Sequence, residues 1–411
     1  MKVTLLSTYD TYGGAGVAAS RLLNSLQLNG VDARMLVHQQ TGKQKGVQAF
    51  GNQKVALARF ALERALFLRD EREKAVRFAF SPANIGVDIS THPLVQEADV
   101  LHLHWVNFGF LSLSSLQKLI NLGKPIVWTL HDMWAFTGGC HYAGDCLGYR
   151  VCCGNCPFLH RPAPHDLSHR IWLHKQKICK NTPLTIVTCS EWLANQARQS
   201  ALFKNKTVIS IPNPIDTQVF KTDDKIKARE ALGLPTDKPL ILFAAQNVQD
   251  ERKGFRYFRE AVQRMENPNT VEIATFGKSQ VSDFQDFPTK VHHLGSLSDV
   301  SKIVQAYQAA SVFVIPSLED NLPNTVMESL ACGTPVVGFR TGGIPEMVRH
   351  QSTGFMATQH SVEELVEGIN WVLFRSDYEQ ISRNAAEFVV NNFSEKIIAK
   401  HYLSVYQDLL S

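Results

Sequence analysis

Asp320 and Glu328 stand eight positions apart in the stretch EDNLPNTVMESLACGTP, residues 319–335, where Pro323 suits the first turn of a short helix. Carboxylates accept hydrogen bonds from hydroxyls, and a helix start favours phosphate. The pattern therefore suits a ligand with both sugar hydroxyls and phosphates; the alternative makes Asp320 a turn or cap residue and Glu328 a solvent-facing helix residue. Arg252 and Lys253 precede Gly254 and a helical pattern in NVQDERKGF. Two cations at a helix start oppose its dipole, so they are either solvated surface charges or partners of an anionic ligand. In the N-terminal half, KPIVWTLHDMW reads as a strand ending at His131 and Asp132, with His131 either structural or a hydrogen-bond partner of a substrate. The loop TYDTYGGAG places Gly13, Gly14 and Gly16 before another helical pattern. It matches neither the dinucleotide fingerprint nor the P-loop, and reads either as a tight turn or as backbone open to a phosphate or sugar.

Cys140, Cys146, Cys153 and Cys156 form a C-x5-C-x6-C-x2-C series within GGCHYAGDCLGYRVCCGNCPFLH. The closing C-x2-C is a zinc half-site, and a four-cysteine centre would be structural, with no open position for catalysis. Cys152 and His141 are alternative ligands, and free thiols or disulfides are the alternative states. The chain has eight cysteines in 411 residues, too few for a disulfide scaffold.

The elements that position these groups follow from alternation. KVTLLST, PLILFAAQ and SVFVIPS are apolar, β-branched runs, each followed by a loop and a helical pattern. That order predicts an α/β protein with parallel sheets in both halves. The length predicts two domains, with residues 1–210 and 211–390 divided near the start of the Pro-, Asp- and Lys-rich segment 211–239. Residues 391–411 are expected to form a terminal helix docking back on the first domain, with Ile398, Tyr402, Val405, Tyr406, Leu409 and Leu410 on one face. Residues 54–80 read as a helix mixing apolar residues with arginines, either partly buried with a solvated edge or leaning on anionic lipid. The net charge of +4 suits an anionic small molecule or a membrane surface better than a nucleic-acid duplex. With no apolar run of transmembrane length and no signal-peptide pattern at the start, the expected location is cytoplasmic, at most peripheral at the cytoplasmic face of a membrane.

The run PSLEDNLPNTVMESLACGTPVVGFRTGGIPEMV, with RKG, YGGAG and TLHD, resembles the retaining family 4 glycosyltransferases of the GT-B fold across essentially the whole chain. The resemblance implies two Rossmann-like domains facing across a cleft and a final helix crossing back. It implies transfer of a hexosyl group from a nucleotide-diphosphate sugar, without a catalytic metal, to an oligosaccharide or lipid-linked acceptor. The cysteine cluster after HDMW resembles an exopolysaccharide-type branch, and a structural zinc there would order a loop near the acceptor side. By the same resemblance Glu328 binds the nucleotide ribose, Lys253 the diphosphate, and His131 the donor sugar, while Gly13 and Gly14 face the phosphates and acceptor. The family's first acid falls on Asp320, one methylene shorter than the usual Glu, with Glu319 adjacent as an alternative. Arg252 takes the role of an arginine that the family places a few residues upstream. Asn321, Leu322, Asn324 and Thr325 complete the expected donor-binding stretch. Competing readings are a GT-B sugar-nucleotide epimerase and a non-catalytic sugar-nucleotide-binding scaffold.

Overall fold

The computed structural model describes residues 1–180 and 182–411. The chain divides into two compact units, Met1–Asn213 with Ile398–Ser411, and Pro214–Ile397.

The first unit is built on a seven-stranded parallel sheet. Its strands are β1 (Lys2–Tyr9), β2 (Asp32–Gln39), β3 (Val47–Ala49), β4 (Val100–Leu103), β5 (Ile126–Leu130), β6 (Leu184–Thr188) and β7 (Thr207–Ser210). They lie in the order β3-β2-β1-β4-β5-β6-β7, and every pair is parallel. β4 and β5 are buried along their whole length, as expected of strands covered on both faces. Successive side chains serve opposite layers: Leu101, Leu103 and Trp128 join one core, and Val100 and Val127 the other. The terminal helix Glu395–Leu410 closes this second layer with Ile398, Tyr402 and Tyr406. Leu410, expected on the same face, is exposed.

The helix read over residues 54–80 is shorter, Gln53–Phe67. Arg64, buried and paired to Glu63 at 2.7 Å, donates to the carbonyls of Arg77 and Phe80. Those bonds require the following chain to double back, and on the way the Arg72 amide donates to Phe158 O.

The second unit carries a six-stranded sheet of β8 (Leu240–Asn247), β9 (Glu272–Lys278), β10 (Val291–His293), β11 (Val312–Ile315), β12 (Val336–Phe339) and β13 (Gly354–Ala357). The order is β10-β9-β8-β11-β12-β13, again all parallel. Both sheets share the strand order of the dinucleotide-binding fold, with its reversal between first and fourth strands. Ligands of such sheets bind beyond the carboxyl ends at that reversal. The places to inspect are therefore the ends of β1 and β4 in one unit and of β8 and β11 in the other.

Candidate functional site

In the second unit three loops meet at the β8/β11 reversal. After β8 the chain makes a single turn, Glu251–Lys253, capped by the Asp250 carboxylate and closed by Gly254 in the left-handed region at φ 67°. A Cβ on Gly254 would stand 1.8 Å from Pro316 O, so glycine alone lets this loop lie against the end of β11. The contact is reinforced where Leu318 N–H donates to Arg252 O at 2.7 Å. Lys253 is thereby aimed at Asp320, with Nζ 2.6 Å from Oδ2 and both side chains largely buried. Ser317 Oγ lies 3.4 Å from the same carboxylate oxygen. The loop after β12 completes the wall. Gly343 N–H donates to the carbonyls of Asp320 and Asn321, and Gly342 adopts φ +57° where a Cβ would meet Asp320 O at 1.6 Å.

The helix Asn324–Ala331 begins directly after Pro323, which contributes its fixed φ and no N–H. Asn324 and Thr325 form the first turn and are half-buried; Asn321 and Leu322 are buried, and Glu319 is half-buried. Glu328, one turn in, is buried and accepts from Tyr307 Oη at 3.0 Å. The structure thus brings Lys253, Asp320 and the helix start together. It pairs Arg252 instead with Asp250 at 2.7 Å. The glycines of RTGGIPE, the loop after β12, are read from the sequence as lining this crevice, and Gly342 and Gly343 do pack on Asp320. Residue-by-residue reading missed Tyr307, whose place in an apolar helix pattern gave no sign of its hydroxyl's partner.

The first unit presents different chemistry at the equivalent place. Gly13 opens the helix Gly13–Leu28 at φ +72°, and Gly14 is exposed. His131 follows β5, with Nε2 3.0 Å from His104 Nδ1 and Nδ1 3.5 Å from Cys189 Sγ. His104 Nε2 is buried without a hydrogen-bond partner. An orphaned N–H is rarer than an orphaned acceptor, so the His104 proton belongs on Nδ1, donating to His131 Nε2. His102 continues the ladder, bonding Tyr406 Oη and Thr129 Oγ1, each at 2.7 Å. Burial pushes His131 down to about 4 and His102 to about 3, and His104 well below the ordinary imidazole value. All three are neutral near pH 7. Asp132 sits beside them in a bonded frame of Trp105 Nε1–H, His141 Nδ1 and Trp134 N–H. Burial alone would raise its pKa; the His141 ring and those N–H donors outweigh burial and hold the carboxyl below its usual range. Sequence reading passed over His102 and His104; the signal that could have found them is the period-two pattern LHLHW, which puts both on one face of β4 and its extension.

Two Rossmann-ordered parallel sheets are the architecture of the GT-B glycosyltransferases, among whose solved members this chain finds its structural neighbours. The chain belongs to Glycosyltransferase Family 4, whose family model matches residues 12–219, followed by a Glycosyl transferases group 1 match at residues 238–374. It is therefore a transferase. It is 26% identical over 333 residues to the Escherichia coli (strain K12) protein WcaC, described as a colanic acid biosynthesis glycosyl transferase, covering 77% of each chain. A D-inositol 3-phosphate glycosyltransferase of Mycobacteroides abscessus matches at 30% identity over 48% of this chain and 46% of its own length. Among solved structures, Anabaena HepE in complex with UDP-glucose superposes with a TM-score of 0.68 at 16% identity, over 99% of this chain and 100% of that one. That last likeness concerns the fold. Among the described residues no helix is long and apolar enough to cross a membrane.

Proposed function

We propose that the protein moves a hexosyl group, with retention and without a catalytic metal, from a nucleotide-diphosphate sugar to a growing lipid-linked oligosaccharide in bacterial exopolysaccharide, capsule or O-antigen synthesis. The observation that carries the donor half is the Lys253–Asp320 pair, 2.6 Å apart beside the start of the Asn324–Ala331 helix. A diphosphate arriving there exchanges one anionic partner of Lys253 for another and leaves Asp320 to accept from sugar hydroxyls. Glu328 takes the ribose hydroxyls, oriented by the Tyr307 hydroxyl. As the bond from the anomeric carbon to the diphosphate oxygen breaks, its electron pair passes to the leaving diphosphate. Lys253 and the helix start are prearranged for that growing charge. The acceptor oxygen forms the new bond on the same face and gives its proton to the departing diphosphate oxygen. HepE, solved with UDP-glucose, supports a nucleotide-sugar donor, and the likeness to WcaC supports the exopolysaccharide setting.

The acceptor half draws on the helix Gln53–Phe67, where Leu57, Leu62 and Leu66 are exposed and Lys54 is exposed beside them. Apolar residues edged with cations favour contact with an anionic membrane surface, where a lipid-linked acceptor resides. The donor assignment is tested by thermal shift across UDP-, GDP- and ADP-sugars. One base should stabilise the protein, and Glu328→Ala should weaken its binding by about 10- to 100-fold, as expected for loss of hydrogen bonds to a charged group. An undiminished shift in that variant refutes the role of Glu328.

A further inference from the structure

The cysteine series leaves six donors in play, and the structure sorts them. Both ring nitrogens of His141 are engaged, Nδ1 with Asp132 at 2.7 Å and Nε2 with Ser81 Oγ at 3.0 Å. Cys152 is exposed, its sulfur 3.6 Å from His169 Nδ1. Cys140, Cys146, Cys153 and Cys156 instead line one cavity of about 20 Å³, together with Gly138 and Phe80. That volume holds a single water-sized occupant. All four are free thiols.

The surroundings are prepared for negative charge. Gly138 N–H donates to Cys153 Sγ at 3.1 Å, and a Cβ on Gly138 would stand 2.7 Å from Cys153 Cβ. Lys175 is fully buried, its ammonium 3.6 Å from the Trp134 ring centroid and bonded only to the carbonyls of Trp134 and Thr137. Among the described residues no carboxylate bonds to it. A buried cation without a counter-charge is costly. Four thiolates around a divalent ion carry a net charge of −2, which supplies one.

We infer that Cys140, Cys146, Cys153 and Cys156 bind one zinc ion as a closed four-thiolate centre, and that this centre holds His141 against Asp132. Among the described residues no three His, Cys, Asp or Glu side chains are already arranged to hold a metal. Binding therefore draws the thiols lining the cavity inward to Zn–S distances of about 2.3 Å. Each thiol gives its proton to solvent, four protons for one Zn²⁺. With every position filled the ion takes no part in transfer. Its effect passes through Cys140, whose neighbour His141 accepts from Met133 N–H at its carbonyl and bonds Asp132 with its ring. Residues 132 and 133 directly follow His131, so the centre positions the end of β5. This inference rests on the first unit alone and stands or falls apart from the donor assignment.

The test is metal analysis of the full chain purified without added metal. About one zinc per chain is expected, retained in Cys152→Ser and lost in Cys153→Ser. Because Cys153→Ser can fail to fold, cobalt(II) is also exchanged into the folded wild-type protein. The tetrahedral thiolate-to-cobalt charge-transfer and d–d bands should appear, and chelation should erase them and shift the His141 ring resonances. A folded protein that is metal-free with all four thiols reactive or disulfide-bonded, a cobalt spectrum without thiolate bands, or loss of metal in Cys152→Ser would each overturn the assignment.

Discussion

The two units have sheets with the same strand order and the same reversal point, yet opposite electrostatics there. At the end of β8 and β11 stand an ammonium and a carboxylate in contact, Lys253 and Asp320. At the ends of β4 and β5 stand three imidazoles kept neutral by desolvation: His104 and His131 bonded to each other, His131 also to a thiol, and His102 bonded to two hydroxyls and packed against the His104 ring. The fold supplies the position of a site in both cases; the side chains decide which charge it accepts. A charged pair waits for a charged ligand that can divide it, whereas a neutral hydrogen-bonded ladder fixes orientation without favouring an anion.

The comparison breaks most readily on the charged side. Lys253→Ala should lower kcat for transfer by about 10²- to 10³-fold, the cost of removing one prearranged stabiliser of a developing anion. Steady-state kinetics with the identified donor measures it; a loss confined to KM would assign Lys253 to uniform binding instead. Gly342→Ala puts a side chain at φ +57°, into the Asp320 carbonyl. The strain should destabilise the second unit by about 1–3 kcal/mol, read by urea denaturation, and should weaken donor binding with it because Asp320 must move.

The neutral side is sharpened by pH. The pKa of His131 falls to about 4 and that of His102 to about 3 in the folded chain, against about 6.5 when unfolded. The unfolded chain therefore binds more protons between those values. Stability from these residues is fully present above pH 6.5 and is lost as pH falls toward 4. Thermal melts across pH 7.5 to 4.5 should show a declining midpoint, less steep in His102→Gln. The smallest effect is expected of His104→Asn, which changes the partner of His131 Nε2. Nitrogen-15 shifts of the His131 ring should report an altered tautomer balance; unchanged shifts would show that His104 does not set it.

Much of this was legible in the sequence, for stated physical reasons. Alternating apolar runs and helical patterns gave two parallel sheets, because buried parallel strands read as continuous apolar segments. Lys253 and Asp320 were singled out because both lie on loops leaving strands, where such folds bind ligands, and the structure brings the two side chains together. Arg252 was read beside Lys253 as a cation for an anion; each stands in an ion pair, Arg252 with Asp250 and Lys253 with Asp320, and neither partner follows from spacing. The helix over residues 54–80 was read too long because no Gly or Pro marks its end. What stops it is Arg64 reaching forward to Arg77 and Phe80, a tertiary bond with no local signature. Tyr307 was hidden for the related reason that a buried tyrosine in an apolar helix looks like core until its hydroxyl's partner is known.

The claim on which the account turns is that Lys253 and the start of the Asn324–Ala331 helix in the second unit grip the diphosphate of the donor. A crystal structure of the full chain soaked with the nucleotide-sugar that gives the largest thermal shift tests it directly. The account predicts the diphosphate within hydrogen-bond distance of Lys253 Nζ at the start of the Asn324–Ala331 helix, with Glu328 on the ribose. A diphosphate bound elsewhere, with the Lys253–Asp320 pair undisturbed, would contradict it.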